Sequence, residues 1–439
     1  MKKRIICSFI TGLSIFMIFS NVIAQAVTFN IDFETDSESI SLVNLDMDTV
    51  VYEKNPHQRR GPASVTKIMT YIITVENVPD LEGTVVNVKD ETLDSLLGTG
   101  SSLSGIQKGD RLTVYQLLHC LMIPSGNDAA LVLADYVGGG DVSKFVDLMN
   151  QKAVELGCNN THFMNPHGLP ERNHYTTSSD MAKIARYAMT LPHFSEITNQ
   201  VVSTIIGEDR PLVTTNKLID KVRGGDYYYK YAKGIKTGHA DETTGYCLVS
   251  TAVSDGYTYL CVALGSPDEG GAEVDSKNLY RWAFNSLEIK QVMNSDTPIG
   301  EVKVNYAWNK DSMMLTAQGS LSTILPVSVS SSSIEVVTNI PDSVNAPIVA
   351  GQKIGTATLK YANQDLETVD LLASEDVPIN YFVFFIDMVT ALATSKWFIA
   401  CIIIVIVLLT FYILLTTRYN KNKKIKRQNE ISRKYQRRR

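Results

Sequence analysis

Residues 245–265 read GYCLVSTAVSDGYTYLCVALG. Two runs rich in β-branched and aromatic residues, GYCLVSTAV and YTYLCVALG, flank Ser254-Asp255-Gly256, and Asp-Gly between such runs is a strong short-range signal for a tight hairpin. With Asp255-Gly256 as the two-residue turn, residues whose numbers sum to 511 face each other, so Cys247 opposes Leu264 and Cys261 opposes Ser250. Side chains alternate across a strand, so these two cysteines point to opposite faces of the sheet and cannot pair.

Working outward, Ile40 to Leu45 and Thr49 to Glu53 read as a second short hairpin. Between the two hairpins, apolar periodicity predicts helices over Ser64 to Val75, Val114 to Ile123, Asp128 to Val137, Val142 to Leu156 and Ser179 to Met189, with one more near Ser276 to Leu287. Strands at both ends with helices between them predict an α+β domain, residues 27–290, on a largely antiparallel sheet. From about Thr297 the texture changes to short β-rich runs (EVKVNYAW, SMMLTA, IEVVTNI, KIGTATLKY, ETVDLLA), which predict a small all-β module over residues 291–377. The serine-rich stretch Ser328 to Ser333 is too short for a flexible linker and reads as a solvated loop or edge strand.

The two ends differ from the body. Met1-Lys2-Lys3-Arg4, an apolar run from Ile5 to Ile23 and Ala24-Gln25-Ala26 have the form of a secretory signal cut after Ala26, the alternative being an uncleaved anchor. Trp397 to Leu415 carries no charge, and its 19 residues at a rise of about 1.5 Å span roughly 28 Å, the thickness of a hydrocarbon core. A transmembrane helix is expected over 397–416, preceded by an interfacial aromatic segment (378–396) containing Tyr381, Phe382, Phe384 and Phe385.

The tail Arg418 to Arg439 has eleven Lys/Arg against one Glu, whereas residues 27–417 hold 27 Lys/Arg and 45 Asp/Glu, a net of −18. Positive charge stays cytoplasmic, so the body is expected outside the cell membrane and the tail inside. An acidic body is the wrong partner for phosphates, so nucleic-acid binding is excluded. Six cysteines in 439 residues, with no Cys-x-x-Cys, argue against a disulfide scaffold or a zinc site and for free, mostly buried thiols.

Three short segments are able to carry chemistry. Ser64-Val65-Thr66-Lys67 opens a helix, placing Ser64 and Lys67 three apart on one face. A serine hydroxyl becomes a nucleophile when a neighbouring base takes its proton, and a lysine serves if burial or another cation keeps it neutral. A lone Ser-x-x-Lys, however, is expected by chance about once or twice in such a chain. Ser125-Gly126-Asn127 separates two helices and alone reads as a connecting turn. Lys236-Thr237-Gly238, followed by His239, lies just before the hairpin strand and is rarer, with roughly 0.2 expected per chain.

The ordered set, together with PASVTKIMT (62–70), IPSGNDAA (123–130), FMNPHGLPERNHYTTSSDMAKIAR (163–186) and GIKTGHADETTGYCLVSTA (234–252), resembles the serine-type D-alanyl-D-alanine carboxypeptidases, low-molecular-weight penicillin-binding proteins. NAPIVAGQKIGTATL (345–359) resembles that family's C-terminal β domain. The resemblance implies a β-lactamase/transpeptidase-like fold, peptidoglycan stem peptides ending in D-Ala-D-Ala as substrates, β-lactams as inhibitors and no cofactor or metal. It makes Ser64 the nucleophile, Lys67 its proton acceptor and Ser125 a proton relay. Asn127 would hold the substrate amide and Lys67, Lys236 would supply positive charge, and Thr237 of the Lys236-Thr237-Gly238 motif would bind the terminal carboxylate. The backbone N–H groups of Ser64 and His239 would form the oxyanion hole.

Two departures accompany the match. Many relatives carry an arginine after the strand ending Leu264-Gly265, where residues 266–273 here (SPDEGGAE) offer acids instead, which shifts carboxylate binding onto Lys236, Thr237 and Ser125. Relatives commonly end in an amphipathic anchor, where this chain has a full apolar span. The nearest rival is a β-lactamase, for which Glu155-Leu156-Gly157-Cys158-Asn159 offers a Glu-x-x-x-Asn pattern, but Glu155 falls in a helix's last turn before a C-cap glycine, a solvated place. The other rival is a catalytically silent wall-binding scaffold, although none of the chemical positions is replaced.

Overall fold

The computed structural model describes residues 29–436 apart from positions 97, 296 and 363. The signal segment 1–26 lies outside the described residues, as does Cys7. The chain divides into two compact units. The first takes in the chain up to Val292 together with Ser322–Glu335 and Leu359–Glu367; the second holds the remainder.

In the first unit, β1 (Ser39–Asn44), β2 (Thr49–Lys54), β3 (Ala232–His239), β4 (Tyr246–Ser254) and β5 (Tyr257–Ser266) form one antiparallel sheet in the order β2-β1-β5-β4-β3. The terminal hairpins are thus neighbours, and the helical region is inserted between them. The expected turn is present: Asp255 (φ 51°) and Gly256 (φ 84°) both adopt left-handed backbone, as a two-residue hairpin whose twist matches its strands requires. The register follows the predicted sum from Val253↔Thr258 down to Leu248↔Ala263, with Ser250 opposite Cys261. It then slips, Tyr246 pairing with Ser266, so the expected pairing of Cys247 with Leu264 is replaced by an irregularity at Cys247. A bulge of this kind re-aims a strand end, and here it lies directly beside the candidate site.

Strand alternation sorts the sheet into two cores. Leu260, Val262, Leu264, Val249 and Cys247 pack with α1 (Lys67–Asn77), α2 (Val114–Met122), α3 (Asn127–Val137), α4 (Val142–Glu155) and α5 (Ser178–Met189). Tyr259, Cys261, Ala263, Leu248 and Ala252 face α6 (Gly271–Ser286) through Ala272, Leu279, Tyr280 and Ala283. Cys247 and Cys261 therefore lie on opposite faces, and Cys120, Cys158, Cys247 and Cys261 are free and buried.

Two helix starts differ from the periodicity. The turn Ala63–Thr66 is 3-10, entered through Ala63 at φ 46°, and the α-helix proper starts at Lys67. The tighter winding draws Ser64 out at the mouth while Lys67 stays inside. At the other end, α6 starts five residues earlier than its apolar repeat suggests, because Gly270 (φ 84°) turns the chain. Gly271 lets the helix approach β5 closely, since a Cβ there would stand 2.2 Å from Ser266 Oγ. Leu287–Met293, which follows α6 directly, is a strand paired with Leu321–Pro326.

Most of a six-stranded sheet belongs to the second unit, residues 335, 359–361 and 364–367 of its strands being grouped with the first; it consists of β6 (Pro298–Asn305), β7 (Ser312–Ala317), β8 (Glu335–Asn339), β9 (Ser343–Asn345), β10 (Lys353–Tyr361) and β11 (Gln364–Ala373), in the order β8-β10-β11-β7-β6-β9. Val302, Val304, Met313, Leu315, Ala357 and Leu371 form its core on one face. The serine-rich stretch is an exposed loop with a single 3-10 turn at Ser331–Ser333.

Two helices follow. α7 (Tyr381–Thr394) is capped by the Asn380 side chain and tied to β6's end by Tyr306, whose hydroxyl donates to Asp387 Oδ2 at 2.7 Å and whose ring meets Phe384. α8 (Lys396–Gln436) is long and apolar enough over its first half to cross a membrane, and its apolar side chains are exposed.

Candidate active site

The three sequence segments converge on one cleft of about 360 Å³ in the first unit, lined by Ser64, Ser125, Asn127, Thr237, Gly238 and His239 among others. Each arrives on its own element: Ser64 on the 3-10 turn before α1, Ser125 and Asn127 at the start of α3, and Lys236 to His239 along the edge strand β3.

Backbone requirements fix this meeting. Gly168 (φ 94°) passes so close to the serine turn that a Cβ would come within 1.8 Å of Ala63 O, and a Cβ on Gly238 would stand 3.2 Å from Ser64 N. Both glycines therefore permit backbone approach to the nucleophile's own amide. Ser125 holds φ 66°, the kind of strained geometry that persists at functional sites where the surroundings over-determine it. Those surroundings are explicit. Gly126 N donates to Cys120 O at 3.0 Å, Asn127 N donates to Ser102 O at 2.9 Å, and Asp128 accepts from Ser104 N at 3.0 and 2.9 Å.

Lys67 is fully buried, and its Nζ lies 2.8 Å from Ser64 Oγ, 2.6 Å from Asn127 Oδ1 and 2.9 Å from His167 O. An ammonium has three N–H bonds and uses all of them here. A neutral amine has two, which match the two fixed acceptors, Asn127 Oδ1 and His167 O, and leaves its lone pair facing Ser64. Electrostatics favour the second state. Burial holds the Lys67 ammonium well below the usual lysine range, Lys236 adds like-charge repulsion, and Asp128 opposes both. Lys236 is itself buried, donates to Thr237 O at 2.9 Å, and is pushed by desolvation down to about 7.

Sequence patterns missed several participants. The carbonyl of His167 completes the Lys67 shell, and its ring is held neutral by burial, with its pKa pushed down to about 3. His174, pushed down to about 4, accepts from Met164 N through Nδ1 and bonds Thr66 Oγ1 at 2.9 Å through Nε2, tying segment 163–175 to the serine turn. Both belong to the quoted stretch 163–186, yet a backbone carbonyl carries no sequence signal. Thr215, bonded to Thr237 at 2.5 Å, Lys217 and Glu269 line the cleft from segments without any motif. Glu155 lies elsewhere, solvent-facing and paired with Lys152. Among the described residues no cluster of His, Cys, Asp or Glu is arranged to hold a metal.

A partly exposed serine hydroxyl against a buried, charge-depressed lysine, with two glycine-permitted backbone approaches, is suited to taking an acyl group onto oxygen; sheet and cleft together define a serine acyl-transfer class of protein. Comparison with known proteins narrows the class. The sequence profile of the D-alanyl-D-alanine carboxypeptidases (peptidase S11) matches residues 24–268, and that of the penicillin-binding protein 5 C-terminal domain matches residues 288–378. The D-alanyl-D-alanine carboxypeptidase DacF of Bacillus subtilis is 30% identical over 356 residues, which cover 80% of this chain and 88% of that one. DacA of Escherichia coli is 29% identical over 380 residues, 83% and 89% of the two chains. Penicillin-binding protein 5 from Haemophilus influenzae superposes with a TM-score of 0.65 at 26% identity, covering 80% of this chain and all of that one. The chain belongs to the D-alanyl-D-alanine carboxypeptidase family.

Proposed function

We propose that this protein is a membrane-anchored serine hydrolase that removes the terminal D-alanine from peptidoglycan stem peptides ending in D-Ala-D-Ala, through an acyl-enzyme on Ser64, and that β-lactams acylate the same serine. The observation that carries this reading is the 2.8 Å contact between Ser64 Oγ and a buried Lys67 Nζ whose remaining acceptors suit a neutral amine.

In the forward step Lys67, neutral, accepts the Ser64 proton as Oγ attacks the carbonyl of the penultimate D-alanine. The negative charge developing on that carbonyl oxygen is stabilised by the backbone N–H groups of Ser64 and His239. The C–N bond then breaks, and the departing D-alanine takes up the proton through Lys67 and Ser125. Asn127 orients Lys67 and the substrate amide, while Lys236, Thr237 and Gly238 bring positive charge, a hydroxyl and backbone access to the terminal carboxylate. Water, deprotonated along the same path, releases the shortened peptide. No cofactor enters these steps.

The apolar half of α8 anchors the chain in the cell membrane, with the first unit outside and the basic tail in the cytoplasm, as the Lys/Arg bias supports. The aromatic helix α7 rests at the headgroups, where amphipathic rings are favoured. Neither rival function is favoured: the Glu155 carboxylate stands outside the cleft, and every motif side chain a silent scaffold would have lost is retained.

Full-length protein in detergent, incubated with a pentapeptide ending in D-Ala-D-Ala, should release one free D-alanine per tetrapeptide, and Ser64→Ala should release none. Turnover by Ser64→Ala at the wild-type rate would refute the assignment. Protease added to wall-less cells should digest the body and spare the tail; loss of the tail from outside would reverse the orientation.

A further inference from the structure

The end of the first unit's sheet away from the cleft carries a second concave surface. At about 100° per residue, one side of α6 presents, in order round the helix, Phe284, Arg281, Asn285, Asn278 and Trp282, so a guanidinium and two amides form a polar stripe between two aromatic rings. Hollows of about 470 and 410 Å³ open on either side of that stripe and share Arg281 and Asn285, which makes them two halves of one groove.

The aromatic walls are fixed in advance. Tyr231 meets Tyr229 at 5.4 Å and Phe284 at 6.2 Å between ring centroids, Phe284 in turn meets Tyr259 at 5.2 Å, and across the stripe Trp282 is held edge-on by Tyr52 at 6.5 Å. The polar floor is uncommitted: among the described residues, the side chains of Arg281, Asn285 and Asn278 make no hydrogen bond or ion pair. Flat apolar rings beside planar amide and guanidinium groups suit a ligand with apolar faces and polar edges. A pyranose ring is such a ligand, since its axial C–H groups cover an aromatic face while its hydroxyl and acetamido groups stay at the rim.

Charge argues against an anionic ligand. Lys230 and Arg281 are matched by Asp255 and Asp32, so the lining is neutral, whereas a site for a phosphate-rich polymer or an acidic lipid headgroup needs a surplus of cations. Position argues against the scissile peptide itself. Tyr228 to Tyr231 precede the first residue of β3, while His239, its last, lines the cleft. The strand's eight residues span about 23 Å, and a five-residue stem peptide reaches at most about 18 Å. A peptide held at Ser64 therefore leaves the groove to the sugar that carries it.

We propose that this groove is a second, non-catalytic site that binds the uncharged, N-acetylated sugar strand of the wall, so that the enzyme holds glycan while its cleft works on stem peptides. The identity of the polymer rests on the D-Ala-D-Ala hydrolase reading; the groove takes no part in bond breaking.

The test incubates full-length protein, in a detergent without sugar headgroups, with beads carrying wall glycan stripped of its stem peptides by an amidase. Wild-type protein should bind the beads, and equally so after benzylpenicillin has blocked Ser64. Arg281→Ala and Tyr228→Ala should each weaken the apparent Kd about three- to tenfold, with turnover of a soluble pentapeptide ending in D-Ala-D-Ala unchanged. Raising salt to about 0.5 M should leave binding in place, because the ligand is uncharged. Wild-type protein that ignores the beads, binding abolished by benzylpenicillin or by salt, or variants that bind like wild type would overturn the glycan site and leave the hydrolase reading intact. A wild-type protein that binds the beads but does not turn over the pentapeptide overturns the hydrolase reading and leaves the groove standing.

Discussion

The two sheets of this molecule bury their side chains differently. β1 is buried at every position and β5 at all but its first two, because helices cover one face and α6 the other. In the second unit β6 and β7 alternate, and β8 is exposed throughout. The doubly covered sheet creates an interior dry enough to depress Lys67 and Lys236. An ammonium in the half-solvated sheet would keep its water and its proton. The contrast accords with the motif side chains all lying in the first unit.

The comparison breaks most sharply at Lys67. Lys67→Arg keeps a cation of similar reach that cannot deprotonate near neutral pH, so acylation of Ser64 should fall by about 10³-fold or more with the fold retained. Stopped-flow acylation by a fluorescent penicillin, with circular dichroism as the folding control, checks it. Near wild-type acylation would mean that another group takes the proton.

The sheets should also differ in what a truncation costs. Leu260→Ala opens a cavity in the doubly covered core and should cost about 2–5 kcal/mol, whereas Val337→Ala, on exposed β8, should stay within about 0.5 kcal/mol. Denaturant titration of each variant measures both, and equal losses would dissolve the distinction.

Lys236 sharpens the same point through pH. Its pKa is lowered in the folded state to about 7, so between about 7 and the unfolded lysine value the unfolded chain binds more protons, and stability rises with pH across that window. Below pH 7 the cost of the buried cation is fully present. Lys236→Met should lessen that rise, Lys67 contributing the remainder, and stabilise the protein at pH 6 by on the order of 1–3 kcal/mol while damaging activity. A wild-type stability that is flat or falls between pH 7 and 9 would show that Lys236 is not held as described.

Much of this was readable in advance, and the exceptions have physical causes. Asp255-Gly256 fixed a hairpin because few dipeptides tolerate two left-handed residues, and the helices announced themselves through apolar repeats that the core uses. Ser64, Ser125 and Lys236 were legible only as a spaced set, since each alone suits a cap, a turn or a solvated lysine. The slip at Cys247 was invisible because a bulge depends on the neighbouring strand's path. The early start of α6 was hidden behind Gly270-Gly271, which propensity reads as a breaker. His167 acts through a carbonyl, and Thr215 and Lys217 line the cleft from a segment held by long-range backbone and side-chain hydrogen bonds, so no pattern marked them.

The most direct test of the central claim is mass spectrometry of full-length protein quenched during reaction with benzylpenicillin, followed by peptide mapping. The account predicts one covalent adduct, carried by Ser64 on the peptide spanning the serine turn, and none in Ser64→Ala. An adduct on any other residue, or an undiminished adduct in Ser64→Ala, would contradict it.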